Sequence, residues 1–294
     1  MAATVNVNGR ISTDHDAVIP VFDHGFLYGE GIYETLRTYN GRLFLYDRHM
    51  RRLRHSAGLI NLPIPFTDDE LTARIRDTIA AAKLDHDDAY VRVLVTRGVG
   101  ELTYNLNATP KPSWVIIVKP LPSPASDLYE KGVKVVLVDV VRNHPRSVNP
   151  AIKSNNLMNS ALAAQEGFKR GGFEAVMRNY RGELTECTQS NLFIVKNSVA
   201  LTPPLDSGLL PGITREFIFE IGRTGGIEVR EQVLRDDDLF SADEAFLTST
   251  TREILPIVTV DERVIGSGEP GPITTKLLIA FRDLTCSLGL PVAP

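Results

Sequence analysis

In the first third of the chain, hydrophobic and polar residues alternate over short runs, which is the pattern of half-buried strands. Two Asn-Gly pairs, Asn8-Gly9 and Asn40-Gly41, each separate two such runs. Asn-Gly tolerates the positive φ values of tight two-residue turns, so both pairs predict β-hairpins. The predicted strands cover residues 4–7, 10–12, 32–39, 42–46, 90–96 and 114–118.

Apolar positions spaced by three and four residues replace this alternation elsewhere and predict helices. The first such stripe consists of Met50, Leu53, Ala57 and Ile60, and the segment 67–70, Thr-Asp-Asp-Glu, is a capping box before the next helix. Three more helices are predicted over about 155–168, 214–223 and 274–286, and strands over 133–141, 173–177, 192–195 and 245–247. Short strands interspersed with helices predict an α/β or α+β fold with two domains.

A proline-rich segment over residues 119–126 interrupts the pattern. Pro120, Pro122 and Pro124 place three prolines in five residues. Proline fixes φ and lacks the backbone donor, so this segment is expected to be an extended, fairly stiff connection. We therefore predict a small domain over residues 1–119, a linker over 120–127 and a larger domain over 128–294.

Composition excludes several classes of function. The net charge is −4, from 32 basic and 36 acidic residues, and no concentrated basic surface is evident, so a nucleic-acid partner is disfavoured. No apolar stretch reaches the roughly 18–20 residues that span a bilayer, and the N-terminus has no signal-peptide pattern, so a cytoplasmic protein is expected. The two cysteines, Cys187 and Cys286, and the six histidines have no metal-ligand spacing, so no metal is expected.

One lysine, Lys153, lies in a polar segment just before the helix predicted over 155–168. Lysine can form a Schiff base with an aldehyde cofactor, and such a lysine needs a partly desolvated pocket. Ile152 and the apolar stripe of the following helix are candidates to supply that pocket: Leu157, Ala161, Ala164 and Phe168. The same stripe also fits an ordinary helix core, so the position alone is only suggestive.

Three further segments carry polar groups suited to binding. Residues 184–193 form a polar run that contains Glu186 and ends in a strand, residues 210–215 place Gly212 and Thr214 at a helix start, and residues 247–251 form a hydroxyl cluster. Helix N-termini bind phosphate through unpaired N–H groups and the helix dipole. Each segment taken singly also fits a turn or a cap.

Together with Lys153, and in this order, these segments resemble the class IV (fold type IV) pyridoxal-phosphate aminotransferases. The resemblance starts at residues 20–37, PVFDHGFLYGEGIYETLR, and extends to residues 246–257. It implies a small N-terminal α/β domain, a larger C-terminal pseudo-barrel and pyridoxal 5'-phosphate in the cleft between them. It also implies a homodimer in which a loop of the partner closes each site. No nucleotide-binding glycine motif competes with this interpretation.

The resemblance also implies a role for each matching residue. Lys153 matches the Schiff-base lysine, which moves the proton between the substrate and the cofactor. Glu186 matches the carboxylate at the pyridine nitrogen, where it keeps the ring protonated and able to accept electrons. Arg52 matches the arginine that grips the cofactor phosphate by a charge-assisted contact. The remaining phosphate contacts are matched by Ile213, Thr214, Ser249 and Thr250.

The substrate is less clearly indicated. Tyr90-Val91-Arg92 resembles the Tyr-x-Arg of bacterial branched-chain enzymes, and Tyr28 and Arg37 fit the same subgroup. Bacillus-type D-amino-acid enzymes carry an Arg-x-His carboxylate trap after Thr-Arg-Gly, whereas Thr96-Arg97-Gly98 is followed here by neither residue.

Two positions depart from the branched-chain pattern. Tyr33 stands where branched-chain enzymes have phenylalanine and D-specific enzymes have tyrosine, and Thr35 stands where branched-chain enzymes have glycine and lyases have threonine. Both residues alternate on one strand face and also fit simple packing.

We therefore expect transamination between a branched-chain amino donor and 2-oxoglutarate as the keto-acid acceptor. The γ-carboxylate is expected at Arg92, Arg97 or Arg37. The alternatives are a D-amino-acid or (R)-amine transaminase, a 4-amino-4-deoxychorismate lyase, and a cofactor-binding protein without turnover.

Overall fold

The chain forms two compact units in the computed structural model, which describes residues 3–84, 88–122, 126–285 and 287–292. The first unit comprises Met1–Ser123, Ile152–Asn156 and Thr285–Pro294, and the second comprises Pro124–Ala151 and Leu157–Leu284. Residues 123–125 of the predicted linker lie outside the described residues, and so does Cys286 at the end of the last predicted helix.

Helices and strands alternate along the described chain. The helices are α1 (His24–Leu27), α2 (Tyr46–Leu59), α3 (Asp68–Ala82), α4 (Ser126–Lys131), α5 (Met158–Lys169), α6 (Ile213–Gly225), α7 (Asp236–Phe240) and α8 (Pro272–Thr285). The strands are β1 (Thr4–Val7), β2 (Arg10–Thr13), β3 (Gly31–Tyr39), β4 (Arg42–Leu43), β5 (Ala89–Thr96), β6 (Ser113–Pro120), β7 (Val133–Leu137), β8 (Glu174–Arg178), β9 (Leu184–Cys187), β10 (Asn191–Lys196), β11 (Val199–Thr202), β12 (Val229–Glu231), β13 (Glu244–Ser249), β14 (Glu253–Val260), β15 (Arg263–Val264) and β16 (Leu290–Pro291).

The first unit is built on a seven-stranded sheet in the order β16-β4-β3-β5-β6-β1-β2. Both predicted Asn-Gly hairpins are present, with φ near 50° at Asn8 and Asn40. The strand predicted over 42–46 is wrong beyond Leu43, because Leu45 adopts a left-handed conformation and α2 begins at Tyr46. The capping box of α3 is confirmed, since Thr67 and Glu70 exchange side-chain and backbone hydrogen bonds.

The segment Ile152–Asn156, which carries Lys153, belongs to the first unit, although the large domain predicted over 128–294 included it. Backbone pairing with β3 explains this assignment. Ser154 forms an antiparallel bridge with Ile32, and the Asn155 N–H donates to the Gly31 carbonyl at 2.9 Å. Such pairing connects residues far apart in sequence, and hydrophobic periodicity carries no signal for it.

The second unit contains a nine-stranded sheet that closes on itself. Its order is β12-β11-β10-β13-β14-β7-β8-β9, with β15 beside β14, and β9 also pairs with β10. Six of these strands therefore form a ring, which confirms the predicted α+β class with a pseudo-barrel. The strand predicted over 133–141 ends at Leu137. Strand β14 was not predicted because Pro256 interrupts its pattern, yet Pro256 pairs with Phe246 of β13.

Helix α5 is oriented differently from the sequence prediction. It starts at Met158 rather than near residue 155. The predicted apolar stripe is not a core face, because Leu157, Ala161 and Phe168 are exposed. Small residues face the sheet instead: Gly167 is buried, and a Cβ built on it would lie 2.9 Å from the Cβ of Ala175 in β8.

No helix within the described ranges is long and apolar enough to cross a membrane.

Candidate active site

Lys153 is held by its backbone on two sides within the first unit. Its carbonyl accepts a hydrogen bond from the Tyr33 N–H of β3 at 2.9 Å. Its own N–H donates to the Oγ of Ser56, a buried residue of α2, at 3.1 Å. The Lys153 Nζ lies 4.5 Å from the centroid of the Tyr33 ring. The lysine is therefore fixed at its base, as a reacting side chain requires.

The predicted substrate residues on β3 and β5 share one face of the sheet. Thr35 is directly opposite Arg92, and Arg37 is directly opposite Tyr90. Directly opposed side chains point to the same side, and residues two apart on a strand do so as well. The guanidinium carbon of Arg92 lies 4.0 Å from the centroid of the Tyr33 ring. The sheet therefore brings together five predicted residues: Tyr33, Thr35, Arg37, Tyr90 and Arg92.

The three candidate arginines differ in their partners. Nη2 of Arg37 donates to Asp88 at 3.2 Å. Nη2 of Arg97 donates to the Ile60 carbonyl at 2.7 Å, and its Nε lies 3.3 Å from Glu30. By contrast, Arg92 donates to no acceptor in the described part of the chain, although its Nε is buried. Arg37 and Arg97 are thus each held by at least one protein acceptor, and Arg92 by none in the described residues.

Tyr28 is not on this sheet and lies at the end of α1. Its ring packs edge-on against His24, with centroids 4.9 Å apart, and it contacts Tyr104 at 5.3 Å. The structure therefore places this predicted substrate residue in an aromatic cluster with His24 and Tyr104.

Arg52 is oriented by a buried carboxylate that the sequence analysis missed. Its Nε and Nη2 donate to the two oxygens of Glu34 at 2.7 and 2.8 Å. Nδ1 of His49 lies 2.8 Å from Glu34 Oε2. Glu34 is fully buried between Ile32 and Leu36 on β3. A charged residue at a core-facing strand position was the available signal, because such a charge needs a partner.

The protonation states of this cluster follow from its geometry. Burial raises the pKa of Glu34, but the guanidinium of Arg52 and the imidazole of His49 hold it well below its usual range. Burial lowers the pKa of His49, so the ring is neutral and donates its Nδ1 proton to the carboxylate. A two-point contact of this kind fixes the plane of the Arg52 guanidinium.

In the second unit, Glu186 of β9 accepts hydrogen bonds at both carboxylate oxygens. Arg142 Nε donates to Oε1 at 2.9 Å, while Asn191 Nδ2 and the Leu210 N–H donate to Oε2 at 3.3 and 3.1 Å. Arg142 is itself anchored, since its Nη1 donates to Asn159 Oδ1 at 3.1 Å. The buried carboxylate is thus held in one orientation. Arg142, Asn159 and Asn191 were not predicted from the sequence, because no local pattern marks partners this far apart.

The N-terminus of α6 has the properties of an anion site. Its N-cap residue is Gly212, and no side chain caps the first turn, which begins with Ile213 and Thr214. Only glycine fits at the cap, because a Cβ there would lie 1.8 Å from Asn191 Oδ1. Uncapped N–H groups at a helix start attract phosphate through hydrogen bonding and the helix dipole.

Ser249 and Thr250 lie where β13 ends, in a short loop anchored by an ion pair between Arg252 and the buried Glu174. The Ser249 Oγ accepts the Arg252 N–H at 3.2 Å, and Arg252 Nη1 donates to Glu174 Oε2 at 2.9 Å. Glu174 is buried and also accepts the Thr188 hydroxyl at 3.2 Å. One carboxylate therefore supports both this loop and the turn between β9 and β10.

Each of the groups described above fits one part of pyridoxal phosphate. An amine suits its aldehyde, a carboxylate suits its pyridine nitrogen, and a fixed guanidinium and an uncapped helix N-terminus are each groups that bind phosphate. The roles of the individual residues stay predictions. In the described residues no group of three His, Cys, Asp or Glu side chains is arranged to hold a metal ion.

Comparison with known proteins identifies the family. The amino-transferase class IV family model matches residues 31–260. A putative branched-chain-amino-acid aminotransferase of Methanocaldococcus jannaschii is 39% identical over 288 residues, which cover 98% of each chain. A D-alanine aminotransferase of Bacillus licheniformis is 31% identical over 276 residues, which cover 94% of this chain and 95% of the relative.

A solved structure agrees with these relatives. The branched-chain amino acid aminotransferase of Thermobaculum terrenum, in its PLP form (holo form), superposes with a TM-score of 0.85 at 29% identity, and the match covers 96% of this chain and 93% of that one. The family match, the relatives and the shared fold agree along nearly the whole sequence, as the motifs around Lys153 predict. The chain is thus a member of the class IV aminotransferase family.

Proposed function

We propose that the protein transfers the amino group between a branched-chain amino acid and 2-oxoglutarate, with pyridoxal 5'-phosphate as cofactor. The observation that carries the substrate assignment is the Arg92–Tyr33 pair beside Lys153. Arg92 has hydrogen-bond donors without protein acceptors in the described chain, and its guanidinium carbon and the Lys153 amine lie 4.0 and 4.5 Å from the centroid of the Tyr33 ring. Such a wall suits an aliphatic side chain and, through the guanidinium, a side-chain carboxylate.

The cofactor role of each residue follows from what it can donate or accept. Pyridoxal phosphate, when bound, supplies an electron sink for the charge that develops at the substrate Cα. Lys153 Nζ holds the cofactor aldehyde and moves the proton at the substrate Cα. Glu186 holds the proton at the pyridine nitrogen, and Arg142 orients that carboxylate. The phosphate ligands are Arg52, Ile213, Thr214, Ser249 and Thr250.

The same residues, Arg92, Tyr33 and Thr35, must accommodate both a charged and an aliphatic substrate side chain. The γ-carboxylate of glutamate or 2-oxoglutarate accepts charge-assisted hydrogen bonds from Arg92, while a leucine or valine side chain packs on Tyr33 and the Thr35 methyl group. Arg37 and Arg97 are less suited, because both are bonded to protein acceptors. Two relatives support this assignment, since the M. jannaschii and T. terrenum proteins are named branched-chain aminotransferases. The PLP form of the T. terrenum enzyme supports the cofactor.

A D-amino-acid transaminase is the second candidate. Tyr33 matches the D-specific residue at that position, and the B. licheniformis relative is a D-alanine aminotransferase. Against it stands the loop after Gly98, which supplies no arginine trap.

A homodimer is the proposed assembly. On α5, Met158 is 65% exposed, and Leu162 and Phe168 are exposed on the same helix. In the first unit, Phe22 and Phe26 are also exposed. Large exposed apolar side chains are candidates for a protein contact site, and a second copy of the chain is the partner that the family resemblance implies. Light scattering after size exclusion should give twice the chain mass. The cytoplasmic location stays a prediction from the sequence.

One substrate panel tests the proposed function. L-leucine, L-valine, D-alanine, D-glutamate and (R)-1-phenylethylamine are each paired with 2-oxoglutarate or pyruvate, and the keto product and amino product are measured. We expect turnover of L-leucine and L-valine with 2-oxoglutarate. Turnover confined to the D-amino acids or the amine would reject the branched-chain assignment, and pyruvate release from aminodeoxychorismate without an acceptor would replace it with the lyase.

A further inference from the structure

Thr248, on β13, carries a buried hydroxyl with no protein partner. The residue is 1% exposed, and its Oγ1 has no hydrogen-bond partner in the part of the chain that the structure describes. A buried threonine on β11 of the same sheet differs in this respect, because the Thr202 hydroxyl donates to the Leu192 carbonyl at 2.8 Å. An unsatisfied buried hydroxyl costs folding free energy, and valine has nearly the same shape without that cost.

Thr248 lies on the same face of the sheet as several predicted cofactor-binding groups. Thr248 is directly opposite Asn191 in the β10–β13 pair, so both side chains lie on one face of the sheet. Asn191 Nδ2 lies 3.3 Å from Glu186 Oε2, and its Oδ1 fills the space where a Cβ of Gly212 would stand. The unpaired hydroxyl therefore shares its face with the predicted pyridine-nitrogen carboxylate and the uncapped start of α6.

We infer that Thr248 is a further cofactor-binding residue, whose hydroxyl donates a hydrogen bond to an anionic oxygen of pyridoxal phosphate. The inference rests on the proposed cofactor. The hydroxyl has no acceptor before binding and gains one afterwards. Compared with a variant that has valine at this position, the wild type should therefore be no more stable without cofactor and should bind the cofactor more tightly. A hydroxyl that served only the structure would instead raise the stability of the empty protein and leave cofactor affinity unchanged.

The test compares Thr248→Val with Thr248→Ser and with the control Thr202→Val. Cofactor is removed by dialysis against cysteine, the dissociation constant for pyridoxal phosphate is measured by fluorescence titration, and the melting temperature is measured with and without cofactor. For Thr248→Val we expect an empty-protein melting temperature equal to or above that of the wild type, and a dissociation constant raised by roughly 5- to 10-fold, the effect of one lost hydrogen bond.

The other variants behave differently. Thr248→Ser keeps the hydroxyl and should bind within about twofold of the wild type. Thr202→Val leaves the Leu192 carbonyl without its donor, so it should lower the melting temperature of the empty protein and leave cofactor affinity unchanged. Thr248→Ala gives the same affinity comparison if the valine variant does not fold.

Unchanged cofactor affinity in Thr248→Val would overturn the inference at any melting temperature. A lower melting temperature of the empty protein would then show that the hydroxyl stabilises the protein itself. A wild-type protein that binds no pyridoxal phosphate would overturn the proposed cofactor itself. The two failures are distinguishable by the wild-type titration.

Discussion

Arg142 Nε lies 2.9 Å from Glu186 Oε1, and both side chains are largely buried. The contact joins the loop that follows β7 to the strand that carries the predicted pyridine-nitrogen carboxylate. Asn159 fixes the arginine in turn, through its Oδ1 at 3.1 Å from Nη1. Glu186 is therefore held in one orientation before any ligand arrives.

Replacing Arg142 by glutamine should leave a buried carboxylate without its charged partner. We expect a loss of roughly 3–5 kcal/mol in the free energy of unfolding, measured by urea titration, because breaking one side of a buried pair exposes the full desolvation cost. Arg142→Lys should lose less, and a double-mutant cycle with Glu186→Gln should give a coupling free energy well above zero. Additive effects in that cycle would contradict the pairing.

The Glu34–Arg52 contact predicts a dependence of stability on pH. The pKa of Glu34 is lowered in the folded protein, so its contribution is complete above the ordinary carboxyl value, about 4.3, and is lost as the pH falls toward the folded value. Between about pH 5 and pH 3 the wild type should lose stability more steeply than Glu34→Gln, by up to about 1.4 kcal/mol per pH unit.

The control for this measurement is Glu262→Gln. Glu262 pairs with Lys134 at 2.7 Å but is 90% exposed, and exposed pairs contribute little because solvent screens them. Its pH profile should match the wild type. Parallel profiles for the wild type and Glu34→Gln would show that the buried contact is not coupled to folding.

Much of the first unit was predictable from local pattern, whereas its charged partners were not. The Asn-Gly turns at Asn8 and Asn40 and the capping box at Thr67 depend on neighbours within a few residues, and the structure contains all three. Glu34 on β3 accepts a hydrogen bond from Arg52 on α2, 18 positions away. The local indication of this contact was that Glu34 shares a strand face with the apolar Ile32. Secondary-structure propensity does not take such a charge into account.

The site in the second unit repeats this lesson. The resemblance pointed to Glu186 by its motif, but Arg142 is 44 positions away, in a loop with no pattern of its own. Strand β14 escaped prediction because proline within a run is normally taken as a strand breaker, and Pro256 interrupts this one. Lys153 was predicted on the large domain because its sequence neighbours lie there, yet its backbone pairs with β3.

Arg92 should determine acceptance of the dicarboxylic substrate. Arg92→Met removes the guanidinium and keeps a side chain of similar length, so kcat/KM for 2-oxoglutarate should fall by roughly 10- to 100-fold, the effect of a lost charge-assisted contact. The value for 4-methyl-2-oxopentanoate should change by less than about threefold, because an aliphatic chain needs no charge.

Arg97→Met provides the contrast. Because Arg97 Nη2 is bonded to the Ile60 carbonyl, its loss should lower the melting temperature and reduce kcat/KM for both keto acids by similar factors. Equal losses for both keto acids in Arg92→Met would remove Arg92 as the carboxylate receptor.

Arg252 should control how tightly the Ser249–Thr250 loop holds the cofactor. Arg252→Met removes the contact with Glu174, so we expect pyridoxal phosphate to dissociate roughly 3- to 10-fold faster, measured by release after dilution into a cofactor trap. The control Arg170→Met breaks a pair with Asp261 in which Arg170 is 44% exposed, and it should leave the release rate unchanged. Equal release rates for the two variants would contradict the anchoring role.

Hydride reduction shows which lysine carries the cofactor, and we expect it to be Lys153. The purified protein, which should be yellow, is treated with borohydride, digested and mapped by mass spectrometry, with Lys153→Ala as the control. We expect one pyridoxyl group on the peptide that contains Lys153 and none in the alanine variant. Label on another lysine, or a colourless protein that takes up no label, would contradict it.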